Sequence, residues 1–151
     1  MKTLICRMAR SIHLTLALTM LSGTVLAATP INLTMHKNPS CGCCEAYAKY
    51  LQKNGFHVKT INHDNMTPIK TRLGTMQAAS CHTMEVNGYV VEGHVPVAAI
   101  KKMLRERPNI KGIALPGMPA SSPGMGAEKP GSLNVMQIEH NGKADKLYQR
   151  L

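Results

Sequence analysis

The chain has 151 residues, a formal net charge of +10 and five cysteines, and this length suits one small domain with a modest core. The basic residues are scattered and no nucleic-acid-binding motif accompanies them, so we interpret the charge as a property of solubility and surface association and exclude a nucleic-acid partner. Methionine is abundant, with 11 residues against four Tyr, one Phe and no Trp. Together with clustered cysteines, this composition favours a soft-metal environment.

The first 27 residues have the pattern of a secretory signal. Basic residues precede an apolar run at 12–21, and Val25-Leu26-Ala27 fits a small-residue cleavage site. We therefore expect cleavage after residue 27, export to the periplasm and no stable membrane insertion after cleavage. An uncleaved membrane anchor is the alternative, although the apolar run is short for a bilayer span.

Two strands and a helix are predicted around a cysteine-rich loop. Residues 31–36 alternate apolar and polar side chains, which indicates a half-buried strand. Pro39 and Gly42 mark a tight loop. Apolar residues then recur at helical spacing over 43–53, and strand alternation returns at 56–61.

A second helix, a hairpin and a third helix follow in the sequence. The short helix is predicted at 67–73, where a proline stands near the first turn. A hairpin is predicted at 80–92, because Asn87-Gly88 is a strong turn signal between strand-forming residues. The third helix is predicted at 97–107.

The composition changes after residue 112. Residues 115–126 form a Pro/Gly-rich stretch with two methionines and no charge, and predicted strands follow at 133–139 and 146–151 around Asn141-Gly142. Taken alone, the Pro/Gly-rich stretch is typical of a linker or mobile tail. Because it lies between ordered elements, we expect it to lie across the domain instead.

The most informative stretch is 38–45, where Cys41, Cys43 and Cys44 fall within four positions at the start of the first predicted helix. Cys81 lies well downstream. Thiolates are both the nucleophiles of disulfide exchange and the ligands of soft metals. A helix N-terminus favours negative charge, so we expect thiolates there near neutral pH. A structural disulfide pair in a secreted domain is the alternative.

The order β-α-β-α-β-β-α, with a CxxC-containing cluster at the start of its first helix, resembles the thioredoxin fold over 31–107. Thioredoxin-like proteins carry a cis-proline before the third strand, facing the CxxC. The corresponding position here is Ser80-Cys81, which lacks a proline, and a thiol at that place favours metal binding over disulfide exchange. The predicted fold class is α/β and thioredoxin-like, with a Pro/Gly/Met-rich loop and a C-terminal β-hairpin extension.

A closer resemblance is to the CopG-like periplasmic copper-resistance proteins. The residues that carry it are Asn38-Pro39-Ser40-Cys41-Gly42-Cys43-Cys44, Ser80-Cys81-His82-Thr83, Gly88-Tyr89-Val90-Val91-Glu92-Gly93-His94-Val95-Pro96, Pro116-Gly117-Met118-Pro119 and Ser122-Pro123-Gly124-Met125. The resemblance implies a thioredoxin-like domain that binds copper in the cell envelope. The predicted division is a signal peptide at 1–27, the copper-binding domain at 28–112, and a loop and hairpin at 113–151 that pack on the same domain.

The four cysteines predict the metal and its stoichiometry. Soft thiolates prefer Cu(I), and four thiolates carry more charge than one Cu(I) ion balances. We therefore predict that Cys41, Cys43, Cys44 and Cys81 hold more than one Cu(I) ion per chain by sharing sulfur. Zinc is the competing metal, but structural zinc sites usually use two separated cysteine pairs.

Further ligands are predicted from nearby histidines and methionines. The candidates are His36, His94, Met118 and Met125. His82 adjoins Cys81, but on a strand its side chain should point to the opposite face of the sheet.

Two classes of function remain open. The first is a copper-resistance protein that sequesters copper, transfers it or cycles its oxidation state, with copper ions and other copper-handling or efflux proteins of the envelope as partners. The second is a thiol–disulfide oxidoreductase in which Cys41 attacks and Cys44 resolves. The sequence leaves open whether redox cycling of copper makes the protein an enzyme.

Overall fold

The structure, a computed structural model, describes residues 29–151. The predicted signal segment at 1–27 lies outside the described residues. The strands are β1 (Ile31–Lys37), β2 (Phe56–Asn62), β3 (Thr83–Val86), β4 (Tyr89–Glu92), β5 (Gly112–Ala114), β6 (Asn134–Ile138) and β7 (Lys146–Arg150). The α-helices are α1 (Gly42–Lys53), α2 (Thr67–Leu73) and α3 (Val97–Glu106), and a short 3-10 helix covers Met76–Ala78. Within residues 29–151, no helix has the length and apolar character that crossing a bilayer requires.

The seven strands form one mixed sheet in the order β2-β1-β3-β4-β5-β6-β7. β1 runs parallel to β2 and antiparallel to β3, and β3 and β4 form an antiparallel hairpin. β4 is parallel to β5, after which β6 and β7 continue the sheet in antiparallel fashion. The predicted mixed α/β class is confirmed, and the thioredoxin-like assignment stays a prediction.

The predicted boundaries of the helices and hairpins agree with the structure to within a few residues, whereas β5 was missed. β5 has three residues, all of them buried, so it shows no alternation that could reveal a strand. Gly112 is required at its start, because a Cβ atom there would lie 1.8 Å from the carbonyl oxygen of Val90 on β4. The strand therefore depends on close backbone approach and not on a side-chain pattern.

Helices cover both faces of the sheet. On one face, Cys44, Tyr47 and Leu51 of α1 are buried and join a core that includes Met35 of β1 and residues of α3. On the other face, Leu73 of α2 belongs to a smaller apolar cluster. Alternation along β1 therefore directs Met35 towards α1 and its neighbour His36 towards the face that carries α2.

The Pro/Gly-rich loop lies against α1. Gly124 has a φ of +80°, and a Cβ atom there would lie 2.8 Å from the backbone nitrogen of Tyr47. The carbonyl oxygen of Pro123 accepts a hydrogen bond from Nδ1 of His94 at 2.8 Å, and Ser80 donates its hydroxyl proton to the carbonyl oxygen of Gly117. These contacts join the loop to α1, to His94 and to Ser80 beside Cys81.

Replacement of Gly124 by Ala should lower the free energy of unfolding more than replacement of Gly131 by Ala. Both glycines have positive φ values, +80° and +75°, so each substitution should cost about 1–2 kcal/mol from the left-handed backbone conformation. A Cβ atom at Gly131 meets nothing within 4 Å, whereas overpacking against Tyr47 should add roughly 1–3 kcal/mol at Gly124. Chemical denaturation of both variants measures the difference, and equal losses would contradict the packing of the loop on α1.

Candidate metal centre

The structure brings the four predicted cysteine ligands together. Their Sγ atoms all lie within 4.8 Å of one another. Cys41 and Cys44 form a disulfide whose Cα atoms are 5.4 Å apart. The Sγ atom of Cys43 lies 3.4 Å from that of Cys41 and 3.6 Å from that of Cys81. Reduction of the disulfide would give four thiols within reach of a common soft-metal site.

The tight turn before α1 positions the first three cysteines. The Asn38 side-chain oxygen accepts hydrogen bonds from the backbone N–H and the hydroxyl of Ser40, at 3.0 and 2.6 Å. The backbone N–H of Cys41 donates to the Asn38 carbonyl oxygen at 3.1 Å. An Asx-type turn of this kind is a usual role of asparagine before a helix. It places Cys41 at the N-cap of α1, with Cys43 and Cys44 in the first turn.

A buried lysine stabilises this turn. Lys37, the last residue of β1, is 2% exposed. Its Nζ donates to the Asn38 carbonyl oxygen at 3.2 Å and lies 2.7 Å from Oε1 of Glu45. The ion pair ties the end of β1 to the first turn of α1, where the Glu45 carboxylate also favours the helix dipole.

Cys81 is positioned by a buried polar network. The fully buried Glu92 carboxylate accepts a hydrogen bond from the backbone N–H of Ser80 at 2.7 Å and from the Thr83 hydroxyl at 2.5 Å. Lys70 of α2 forms an ion pair with the same carboxylate. The network fixes the backbone next to Cys81. Glu92 and Lys70 were not predicted in this role, because the only signal in the sequence is a charged residue at the end of an apolar strand.

His94 lies where the prediction placed it, beside the cysteines. Its Nε2 is 3.4 Å from the Sγ atom of Cys81. Because Nδ1 donates to the Pro123 carbonyl oxygen, the neutral ring directs the lone pair of Nε2 towards the sulfur. Burial lowers the pKa of His94, which keeps the ring in the neutral form that a metal needs.

The expectation that His82 points away from Cys81 is wrong. His82 is fully buried, and its ring has a nitrogen within 4.8 Å of both Cys81 Sγ and a His94 nitrogen. The residue precedes β3, so strand alternation does not apply to it. Its ring packs 4.8 Å from the ring of Tyr47.

His82 has no hydrogen-bond partner on either ring nitrogen among the described residues. Burial, followed by the nearby His94, lowers its pKa to about 3, so the ring stays neutral at physiological pH. An unpaired buried polar group costs about 1–3 kcal/mol and calls for a partner such as an ion. His82 is therefore a candidate inner ligand, contrary to the prediction from strand alternation.

The remaining predicted ligands divide between two places. Met118 is 56% exposed and lines a cleft of about 550 Å³ together with Cys41, Cys43 and Cys81. Met125 does not line this cleft. His36 is not brought to the cysteines, because it lies on the sheet face opposite α1 with its ring nitrogens near His63 and Glu85.

The chain is similar to proteins of known sequence and structure. Residues 78–125 match the family described as "Protein of unknown function, DUF411". Two solved structures, named copper resistance protein copG form 2 and form 1, share 39% and 38% sequence identity with this chain, with TM-scores of 0.72 and 0.70. Each comparison covers 81% of this chain and 98% of the other chain. No match was found among curated proteins.

Alkylation of Cys81 should be slow at neutral pH in the metal-free protein. Burial, and next the hydrogen bond with Cys43, raise the pKa of Cys81 to about 11. The reactive thiolate is therefore scarce, and the rate with iodoacetamide should rise about tenfold per pH unit from pH 8 to 10. Peptide mapping by mass spectrometry follows the residue.

The unfolded chain in guanidinium chloride is the control for this measurement. There the Cys81 thiol has an ordinary pKa near 8.5, so its rate should level off by about pH 10. A rate in the folded protein that levels off below pH 9 would contradict the buried environment of Cys81.

Proposed function

Because this chain belongs to the CopG-like family of copper-resistance proteins, we propose that it holds copper as Cu(I), with more than one ion bridged by Cys41, Cys43, Cys44 and Cys81. The observation that carries the proposal is the mutual approach of the four Sγ atoms to within 4.8 Å. Copper resistance then follows from binding free copper in the cell envelope.

The sulfur separations support a shared site. A metal–thiolate bond is about 2.3 Å long, so two sulfurs on one ion lie at most about 4.6 Å apart. All four sulfurs are close to this limit or within it, and Cys43 lies within 3.6 Å of both Cys41 and Cys81. One sulfur can therefore bridge two ions, and several Cu(I) charges offset the charge of four thiolates.

A buried His94 and an exposed Met118 complete the proposed site. Nε2 of His94 faces Cys81 from the buried side, whereas the thioether of Met118 stands at the solvent-exposed cleft. Imidazole and thioether are both established copper ligands. Met118 is thus placed to bind an ion that enters from solvent, and His94 is placed to bind the most buried ion.

The thioredoxin-like assignment belongs to the same proposal. It is supported by the order β2-β1-β3-β4, in which β1 is parallel to β2 and antiparallel to β3, and by the cysteines at the start of the helix after β1. In this assignment the domain at 28–112 binds copper, and 113–151 extends its sheet. The leader pattern at 1–27 supports a periplasmic location, with copper ions and copper-handling envelope proteins as partners.

The disulfide favours a second candidate function. Cys41 and Cys44 form a disulfide in a CxxC arrangement, as a thiol–disulfide oxidoreductase requires. The same pair could reduce two Cu(II) ions to Cu(I), since oxidation of two thiols to a disulfide releases two electrons and two protons. Cys81 is needed for the copper site and is dispensable for disulfide exchange.

Anaerobic titration of the reduced protein with Cu(I) should saturate above one ion per chain. Cys81→Ser should lower the number of bound ions and the ultraviolet thiolate–copper absorbance, because Ser is a poor ligand for soft copper. Equilibrium binding against a Cu(I) chelator measures both quantities. Saturation at one ion that the substitution leaves unchanged would contradict the shared-sulfur site.

A disulfide-reduction assay on the same variants separates the two functions. If the protein is an oxidoreductase, Cys81→Ser should retain reduction of a test disulfide and Cys41→Ser should lose it. If copper binding is the function, both substitutions should impair Cu(I) binding.

Met118→Leu should weaken Cu(I) binding, because the substitution removes a soft thioether ligand and keeps an apolar side chain of similar size. Met76→Leu is the matched control, since Met76 is 48% exposed but lies outside the cysteine cleft. Neither change should alter stability by more than about 0.5 kcal/mol. Chelator competition compares the variants, and equal affinities would remove Met118 from the site.

A further inference from the structure

His36 forms a second group of potential ligands, away from the cysteines. Its Nδ1 lies 2.9 Å from Nε2 of His63. His36 is buried at the end of β1, whereas His63 follows β2 and is half-buried. The backbone N–H of His63 donates to the carbonyl oxygen of Lys37 at 2.9 Å, which keeps the chain after β2 beside β1. One imidazole of the pair is therefore rigidly held, and the other is open to solvent.

A carboxylate fixes the tautomer of His36. Its Nε2 lies 3.0 Å from Oε1 of Glu85 on the neighbouring strand β3, so in the neutral ring Nε2–H donates and Nδ1 keeps its lone pair. Arg72 of α2 donates to the same Glu85 oxygen at 3.4 Å. A histidine that ligates a metal usually gives its other N–H to a carboxylate in this way, because the hydrogen bond orients the ring and raises its basicity.

The two imidazoles face each other across the hydrogen bond, since their ring centroids are 5.1 Å apart and the two nitrogens 2.9 Å apart. An ion on Nδ1 of His36 would lie about 2.0 Å along its lone pair, so Nε2 of the half-buried His63 must turn aside by about 2 Å to make room. With its proton on Nδ1, His63 can then bind the same ion at roughly 90°, the angle between neighbouring ligands in the square-planar geometry of Cu(II).

We infer that His36 and His63, supported by Glu85, form a Cu(II) site on the sheet face opposite the cysteine cluster, with water completing the coordination. The inference rests on the proposed function for the choice of copper, and the Irving–Williams order also places Cu(II) above Zn(II) for nitrogen ligands. Thiolates select Cu(I), so the two faces of the sheet hold copper in its two oxidation states. No electron transfer between the sites is implied.

Electron paramagnetic resonance of added Cu(II) tests the site. The thiols are first saturated with Cu(I) or, in a parallel sample, alkylated, so that they do not reduce the probe. One equivalent of Cu(II) should give a spectrum with nitrogen hyperfine structure from two imidazoles. His63→Gln should lower the affinity for Cu(II) at least tenfold in competition with glycine, and Glu85→Gln should lower it about tenfold.

His57→Gln is the matched control. His57 lies on β2 on the same sheet face, where it contacts Asn32 and not His36, so this change should leave the spectrum and affinity unaltered. Paramagnetic broadening of amide resonances should centre on His36, His63 and Glu85. Unchanged affinity in His63→Gln, or broadening centred elsewhere, would overturn the inference and leave the pair as a structural hydrogen bond.

These measurements distinguish failure of the histidine site from failure of the cysteine site. If the thiols take up no Cu(I), the alkylated sample still reports on the histidine site. If the histidine pair binds no Cu(II), the Cu(I) titration of the cysteines is unaffected.

Discussion

The position of Cys81 depends on one buried carboxylate. Glu92 is fully buried, and such a charge persists inside a protein only when it is paired and hydrogen-bonded. Lys70 supplies the opposite charge, while Thr83 and the backbone of Ser80 supply hydrogen bonds. Loss of one member of such a pair typically costs about 3–5 kcal/mol. The segment that carries Cys81 is therefore held to β4 and α2 far more tightly than an irregular segment would be by itself.

The alternation of β1 divides the chemistry of the protein between two faces. Lys37 lies on the α1 side and fixes the cysteine turn, whereas His36 lies on the other side with His63 and Glu85. A shift of one residue in the register of β1 would exchange these roles. Seven consecutive residue pairs with β2 hold that register. The parallel pairing is thus what keeps the cysteine cluster and the histidine pair on opposite faces of the sheet.

Local signals in the sequence were sufficient for the main elements. Alternation predicted β1 and β2, and Asn87-Gly88 predicted the hairpin of β3 and β4, because these patterns depend on residues that are close in the chain. The mixed α/β class and the CopG-like family were also predicted. β5 was not predicted, because its formation depends on close approach to the backbone of Val90, which is a tertiary contact.

Prediction of the candidate ligands, too, was limited by its dependence on local sequence patterns. The sequence predicted the cysteine cluster, but strand periodicity was applied to His82 outside any strand, and proximity in the chain associated His36 with a loop on the other face. The partners of Glu92 come from α2 and from the segment before β3, so no local pattern joins them. Residues that act through long-range contacts could be identified only from the structure.

The side chains of the cysteine cluster and its neighbours are buried on one side and exposed on the other. Cys44, His82 and His94 are fully buried, whereas Cys41, Cys43 and Cys81 are half-buried and Met118 is exposed. In the proposed function, an ion from solvent therefore reaches the thioether and the partly exposed thiols before the buried imidazoles. The Cys41–Cys44 disulfide removes two of the four thiolates, so the fully oxidised dithiol and the complete sulfur site exclude each other. In the proposed copper site, the number of bound ions therefore depends on the redox state of this pair of cysteines.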